Sequence, residues 1–198
     1  ILEFNPDGSG YRVFASGIRN PVGLALQPGT DTIWTAMNER DNLGDDLVPD
    51  YATSVKDGGF YGWPYCYWGQ IVDDRVPQDA AMVARAITPD YALGGHTASL
   101  GLCWVPAGTL PGFPDGMAIG QHGSWNRNTK HGYNVMRVTL DGAGKVTGMK
   151  PFLEGFLEND KGDPPMWGRP VDVLQVRDGA LLVSDDFNGI IYRISYKK

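Results

Sequence analysis

Three short stretches of this chain set a polar group directly ahead of a run of small and apolar residues: "RNPVGLAL" at 19–26, "HTASLGLCW" at 96–104 and "GRPVDVLQV" at 168–176. If the three runs are equivalent strands of a repeated unit, Arg19, Asn20, His96, Thr97 and Arg169 gather at one end of a common axis. Two guanidinium groups converging on one pocket suit an anionic ligand bearing carboxylates or phosphates, because the planar fork grips such groups bidentately. The competing reading is that Arg19 and Arg169 cap strand ends or pair with surface carboxylates.

Other polar clusters say less by themselves. "NERDNLGDDLVPD" (38–50) has five carboxylates in thirteen residues and could offer side-chain and backbone oxygens to Ca²⁺. It lacks the EF-hand spacing, and spacing alone reads as a solvated acidic loop. "HGSWNRNTKHGYNV" (122–135) concentrates His122, Ser124, Asn126, Arg127, Lys130 and His131. Its two histidines are too far apart to form a local metal pair on one strand face. A lone loop histidine is a possible proton acceptor but more often structural. Asp185 and Asp186 precede a turn and read as turn hydrogen-bonding residues. The sequence contains no G-x-S-x-G, H-E-x-x-H, Walker or G-x-G-x-x-G pattern, so a hydrolytic triad is not supported.

The elements that must position these residues are short strands. Gly (27) and Pro (14) make up about a fifth of the 198 residues, and many short β-branched runs lie between turn signals, which indicates a turn-rich all-β protein. "VGLALQPGTDTIWTAMN" (22–38) reads as two strands around a Pro-Gly turn. "SLGLCWVPAG" (99–108) and "GMAIGQHGSW" (116–125) form another pair. "GYNVMRVTLDGAGKVTGMKPFLEGF" (132–156) reads as strand, Asp-Gly turn, strand and outgoing strand. "PVDVLQVRDGALLVSDDFNGIIYRISY" (170–196) reads as three strands joined at Asp-Gly and Asn-Gly, which fit type I′ turns. "PQDAAMVARAI" (77–87) could supply one short helix. Units of four short strands repeating at roughly 40–50 residues signal a β-propeller. Three units fit, with a loop at 39–95 inserted between the first two. The aromatic and glycine-rich "DGGFYGWPYCYWG" (57–69) falls in that loop, where Trp63, Tyr65 and Trp68 are expected to wedge between sheets.

Composition excludes some classes. The net charge is −6 and no Lys/Arg cluster appears, so the footprint of a nucleic-acid binder is missing. No apolar run approaches the roughly 18 residues of a membrane span. Cys66 and Cys103 form no metal motif; they could pair in an exported protein, or stand as two buried thiols. The chain opens at Ile1 without a visible signal peptide, as expected of a processed protein or an interior piece of a longer one.

The ordered set "GIRNPVGLAL", "NERDNLGDDLVPD", "GGFYGWPYCYWG", "HTASLGL", "HGSWNR" and "GRPVDV…DGALLVSDDFNGIIYRI" resembles the soluble quinoprotein glucose/sorbosone dehydrogenase family, most closely its sorbosone-dehydrogenase-like branch. The resemblance spans nearly the whole chain. It implies a six-bladed β-propeller, of which residues 1–198 would be the C-terminal portion, about three blades. It also implies pyrroloquinoline quinone (PQQ) and Ca²⁺ at the channel mouth, and oxidation of a sugar hydroxyl or aldehyde by hydride transfer to the quinone, with electrons passing to an external acceptor. A periplasmic or extracellular location is a further implication.

Carried over residue by residue, the resemblance assigns Arg19 and Asn20 to the quinone. It gives Thr97, with His96 beside it, a cofactor contact, and Arg169 a carboxylate contact. Arg40, Asp41 and Asn42 match the turn whose backbone carbonyls bind Ca²⁺. Asn126 or Arg127 falls where glucose-type members place a lysine. A second arginine of those members is Val171 here. The family's general-base histidine belongs to an early blade that would precede Ile1, and none of His96, His122 or His131 matches it. The expected partners are a small sugar, an external electron acceptor, and the remaining blades or a second chain; nucleic acid and a membrane span are not expected. A non-catalytic propeller binding carbohydrate or a protein is the alternative. It has no need to keep Arg19, Asn20, Arg169 and the 39–46 loop together.

Overall fold

The computed structural model describes residues 1–159 and 166–196, and these are almost entirely strands and turns. Three antiparallel sheets follow one another along the chain. The first orders Pro21–Leu26, Ile33–Met37, Pro49–Ser54 and Tyr91–Gly95 from one edge to the other. The second runs Ser99–Val105, Gly116–Gln121, Asn134–Leu140 and Val146–Leu153. The third has Pro170–Gln175, Leu181–Asp185 and Ile190–Ile194. Each sheet begins with an inner strand; that of the second sheet lies against those of the first and third, and all three line a shared crevice. This is the arrangement of blades in a propeller; the described residues close no ring.

Small residues make the hub possible. A Cβ on Gly23 would meet the Leu100 carbonyl at 2.7 Å, and one on Gly101 would strike Asp172. Glycine there lets the backbones of neighbouring inner strands approach closely.

Two apolar layers join the sheets. Trp34, Ala36, Ala52 and Leu93 of the first sheet pack against Leu102, Met117, Ile119 and Val138 of the second. Val105, Ala118 and Val135 of the second pack against Val173, Leu181 and Val183 of the third, with Leu110 and Phe113 filling one end. The strand Gly116–Gln121 is buried throughout and serves both layers: Met117 and Ile119 face one way, Ala118 the other. That follows from the two-residue period of a strand.

Several expectations change. Residues 39–95 are not one inserted loop, because Pro49–Ser54 and Tyr91–Gly95 are the third and fourth strands of the first sheet. The insertion shrinks to 55–90. It contains the helix Ala80–Arg85, whose N-terminus is capped by the Asp79 carboxylate accepting from Ala81 and Met82 N–H. The region after Gly144 is one eight-residue strand, Val146–Leu153, rather than two. The hairpin turns are not type I′: at Asp178-Gly179 and Asn188-Gly189 only the glycine has positive φ. At 176–180 the Gly179 N–H donates to Val176 O and the Val176 N–H to Ala180 O, a three-residue connection with a glycine bulge. In the aromatic segment the buried side chains are Phe60, Tyr61 and Cys66, not Trp63, Tyr65 and Trp68. Cys66 and Cys103 are both free.

Candidate functional site

The loops that lead into the inner strands meet at one end of the shared crevice, around a polar cavity of about 290 Å³. Arg19, Asn20, His96 and Arg169 all line it, joined by Asn38, Asp41, His122 and Trp125. Four of the residues singled out by their places ahead of strands therefore come together.

Each arginine is aimed by carbonyl oxygens. Arg19 Nη1 donates to Asn38 O (3.1 Å) and Glu39 O (2.7 Å), and its Nη2 is 3.7 Å from Asp41 Oδ2. Arg169 Nε donates to His122 O (3.1 Å) and Nη2 to Gly123 O (3.0 Å), with its guanidinium over the Tyr133 ring at 5.6 Å. Arg169 Nη1 and Arg19 Nε make no hydrogen bond to a described residue. Both arginines do cap strand ends, on the carbonyls just past Ile33–Met37 and Gly116–Gln121, while each also borders the cavity. Gly123 is required where it stands: its φ is +97°, and a Cβ would lie 2.4 Å from the Tyr133 ring.

His96 is buried in a left-handed conformation (φ 57°), its Nε2 2.8 Å from Gly44 O and its Nδ1 3.3 Å from Asp41 Oδ1. Thr97 does not reach the cavity. It is fully buried, and its hydroxyl donates to Asp50 Oδ2 (2.8 Å). Asp50 also accepts from the backbone N–H of Glu39 (2.8 Å) and Ser99 (3.0 Å), so it ties the 38–46 loop to the entry of the second sheet. Burial pushes the Asp50 carboxyl up to about 6, against the pull of those donors.

The 38–50 segment is only in part a solvated acidic loop: Glu39, Arg40 and Asp50 are buried, whereas Asp46 is exposed. Arg40 bonds Glu39 Oε2 (2.9 Å), Asp73 Oδ2 (2.9 Å) and the Cys66 carbonyl (2.8 Å), and lies 4.8 Å from the Trp63 ring. Arg75 also pairs with Asp73, and its hydrogen bonds hold that carboxyl well below the usual range. Arg75 Nη1 reaches Asp41 O (2.8 Å) and Asn42 O (3.4 Å). Asn42 takes φ 67° at this turn. Of the three residues assigned to Ca²⁺, only Asp41 lines the cavity; Arg40 faces the aromatic segment. Arg127 donates to Asp45 O (2.6 Å) and sits 3.0 Å from Asp46, outside the cavity lining, as is Asn126. Asn126 Nδ2 and Arg127 Nε are buried without a partner.

Of two further lining residues, the sequence named His122 only within a polar cluster and did not single out Trp125. Trp125 is 67% exposed at the rim. His122 holds Asp186 Oδ1 at 2.8 Å through Nε2. Both follow the second strand of a sheet, where no repeat marks them. His131 lines a different cavity, and burial, aided by nearby Arg127, lowers its pKa.

The free guanidinium N–H groups of Arg19 and Arg169 on one cavity fit an acidic ligand such as PQQ. Among the described residues no group of three or more His, Cys, Asp or Glu side chains is placed to hold a metal. The oxygens of this turn are already engaged: the Asp41 and Asn42 carbonyls accept from Arg75, and the Asp41 carboxylate faces Arg19 and His96, so Ca²⁺ would have to compete with those groups. The oxygens suit a hard cation in type.

Residues 3–193 match the family described as Glucose / Sorbosone dehydrogenase. The chain is 34% identical over 202 residues to the aldose sugar dehydrogenase YliI of Escherichia coli, covering 98% of this chain and 48% of that protein. It spans about half the length of the curated relatives it matches. Among solved structures, the holo pyranose dehydrogenase PQQ domain from Coprinopsis cinerea superposes with a TM-score of 0.78 at 22% identity, over 95% of this chain and 56% of that one. The calcium structure of a Trichoderma reesei family AA12 enzyme gives 0.77 at 21%, over 93% of this chain and 53% of that one. No helix among the described residues is long and apolar enough to cross a membrane. The motif order, the sheet succession and the family match agree: the chain belongs to the glucose/sorbosone dehydrogenase family.

Proposed function

We propose that this chain is the C-terminal portion of a PQQ-dependent, Ca²⁺-assisted dehydrogenase that oxidises a sugar or aldose. The observation that carries the reading is the meeting of Arg19, Asn20, His96 and Arg169 on one cavity. When bound, the quinone supplies the hydride acceptor. Arg19 and Arg169 would hold its carboxylates, and their anchoring on the Asn38, Glu39, His122 and Gly123 carbonyls keeps both forks aimed at the cavity. The oxygens of Asp41 and Asn42 would hold the cation. Trp125 offers an apolar face at the rim for a sugar ring or for the flat cofactor. Further blades, from the same protein or a second chain, would complete a six-bladed ring, and an external acceptor would take the electrons. The family resemblance favours a periplasmic or extracellular location.

Calorimetric titration of PQQ into the chain tests this, first with Ca²⁺ and then with a chelator. Ca²⁺-dependent binding is the expected result. Arg169→Ala should weaken it about tenfold or more, the value of a charge-assisted hydrogen bond. Unchanged affinity would remove Arg169 from the site. If the folded chain binds no PQQ, the same titration on a longer protein carrying the upstream blades decides whether the reading survives.

A further inference from the structure

The turn after Leu181–Asp185 carries two consecutive carboxylates with different partners. Asp185 is consumed by the turn: it accepts from the backbone N–H of Arg169, Phe187 and Asn188 and from the Tyr192 hydroxyl. Asp186 takes no part in those bonds. Its Oδ1 lies 2.8 Å from Nε2 of His122, 64 residues earlier in the chain. His122 is among the residues lining the polar cavity, with Arg169 and Trp125.

A carboxylate on one ring nitrogen fixes the tautomer of a neutral imidazole. Here it places the proton on Nε2 and leaves the lone pair on Nδ1. No described residue bonds Nδ1, and it is not among the buried unpartnered atoms. The other histidines lack this arrangement. His96 has Gly44 O on one nitrogen and Asp41 near the other, and His131 belongs to another cavity.

We infer that His122 is a proton acceptor of this cavity, with Asp186 as its positioning residue, and that the group it serves is a ligand hydroxyl. In the step, the ligand O–H bond breaks, its electron pair stays on oxygen, and the proton forms an Nδ1–H bond. The resulting imidazolium keeps its Nε2–H on the Asp186 carboxylate, which stabilises the charge. The choice of a sugar hydroxyl rests on the function proposed above; the ring geometry does not.

Two readouts on the whole chain test it without turnover. In ¹⁵N-histidine spectra the neutral His122 should be the Nε2–H tautomer. Asp186→Asn should give a mixture of tautomers, and Asp186→Glu should restore the single form. In peptide-mapped carbethoxylation His122 should react about tenfold faster than His96 or His131, and more slowly after Asp186→Asn. An Nδ1–H tautomer in the unaltered chain, or a His122 no more reactive than the other two, overturns the proposal. Prior addition of PQQ should slow modification of His122. If it does not while His122 remains the fastest, the dyad stands and the quinone reading fails.

Discussion

Asp50 holds a charge in a place that disfavours charge. It sits 1% exposed between two loops, accepting from Glu39, Thr97 and Ser99. Its carboxyl titrates near 6, above the unfolded value of 3.8, because desolvation outweighs its donors. The folded state therefore binds more protons than the unfolded state between those values. The stability this group contributes is fully present below pH 3.8 and is lost as pH rises through about 6. The difference in unfolding free energy between the unaltered chain and Asp50→Asn, measured in urea from pH 4 to 8, should show that decline. A difference independent of pH would mean Asp50 is not desolvated. Gly123 makes a second case: Gly123→Ala adds strain of about 1–3 kcal/mol from positive φ alone, and its Cβ must also displace Tyr133. Lower stability by urea denaturation and weaker PQQ binding should appear together, since Tyr133 lies under Arg169. At this scale the sequence told which residues precede equivalent strands, and so Arg19, Asn20, His96 and Arg169 could be read. It could not tell that Thr97, one residue past His96, turns inward to Asp50. Nor could it join His122 to Asp186, because their pairing depends on two sheets packing side by side.

The aromatic and glycine-rich segment is held as an element by an arginine from outside it. Arg40 reaches from the 38–46 loop into it, touching the Pro64 and Cys66 carbonyls and lying over the rings of Trp63 and Tyr67. Its two carboxylate partners, Glu39 and Asp73, are 3% exposed each. Arg40→Met keeps much of the stem but leaves buried anions short of a cation, and should cost about 3–5 kcal/mol. Urea denaturation measures the loss; an effect below about 1 kcal/mol would show that Arg75 alone neutralises Asp73. The element pattern was readable where alternation was clean, as in the three strands of 170–194 and the pair at 99–121. It failed at 49–54 and 91–95, where "PDYATS" and "YALGG" carry too few β-branched residues to announce strands. Those two strands form through pairing with Ile33–Met37 and with each other, which no local window contains. The turn types failed for a related reason: a glycine bulge and a type I′ turn share the same Asp-Gly signal.

At the scale of the whole molecule, apolar side chains stay uncovered on the first inner strand, beside the shared crevice, and on the last strand. Val22, Leu24 and Leu26 on the first inner strand, and Ile190 and Ile191 on the last strand, are exposed. Surfaces of this kind mark interaction sites or association hazards. Without further blades the chain should self-associate at micromolar concentration, and Leu26→Lys with Ile191→Lys should lower the mass seen by light scattering. A monodisperse monomer from the unaltered chain would show that these faces need no cover. The succession of sheets has one more consequence, for the order of assembly. Among the described residues the four strands of the first sheet end at Gly95, the four of the second at Leu153 and the three of the third at Ile194, and none is shared. A chain emerging from its N-terminus can thus finish one sheet before the next is made, so each newly formed apolar face waits for its neighbour only as long as synthesis takes.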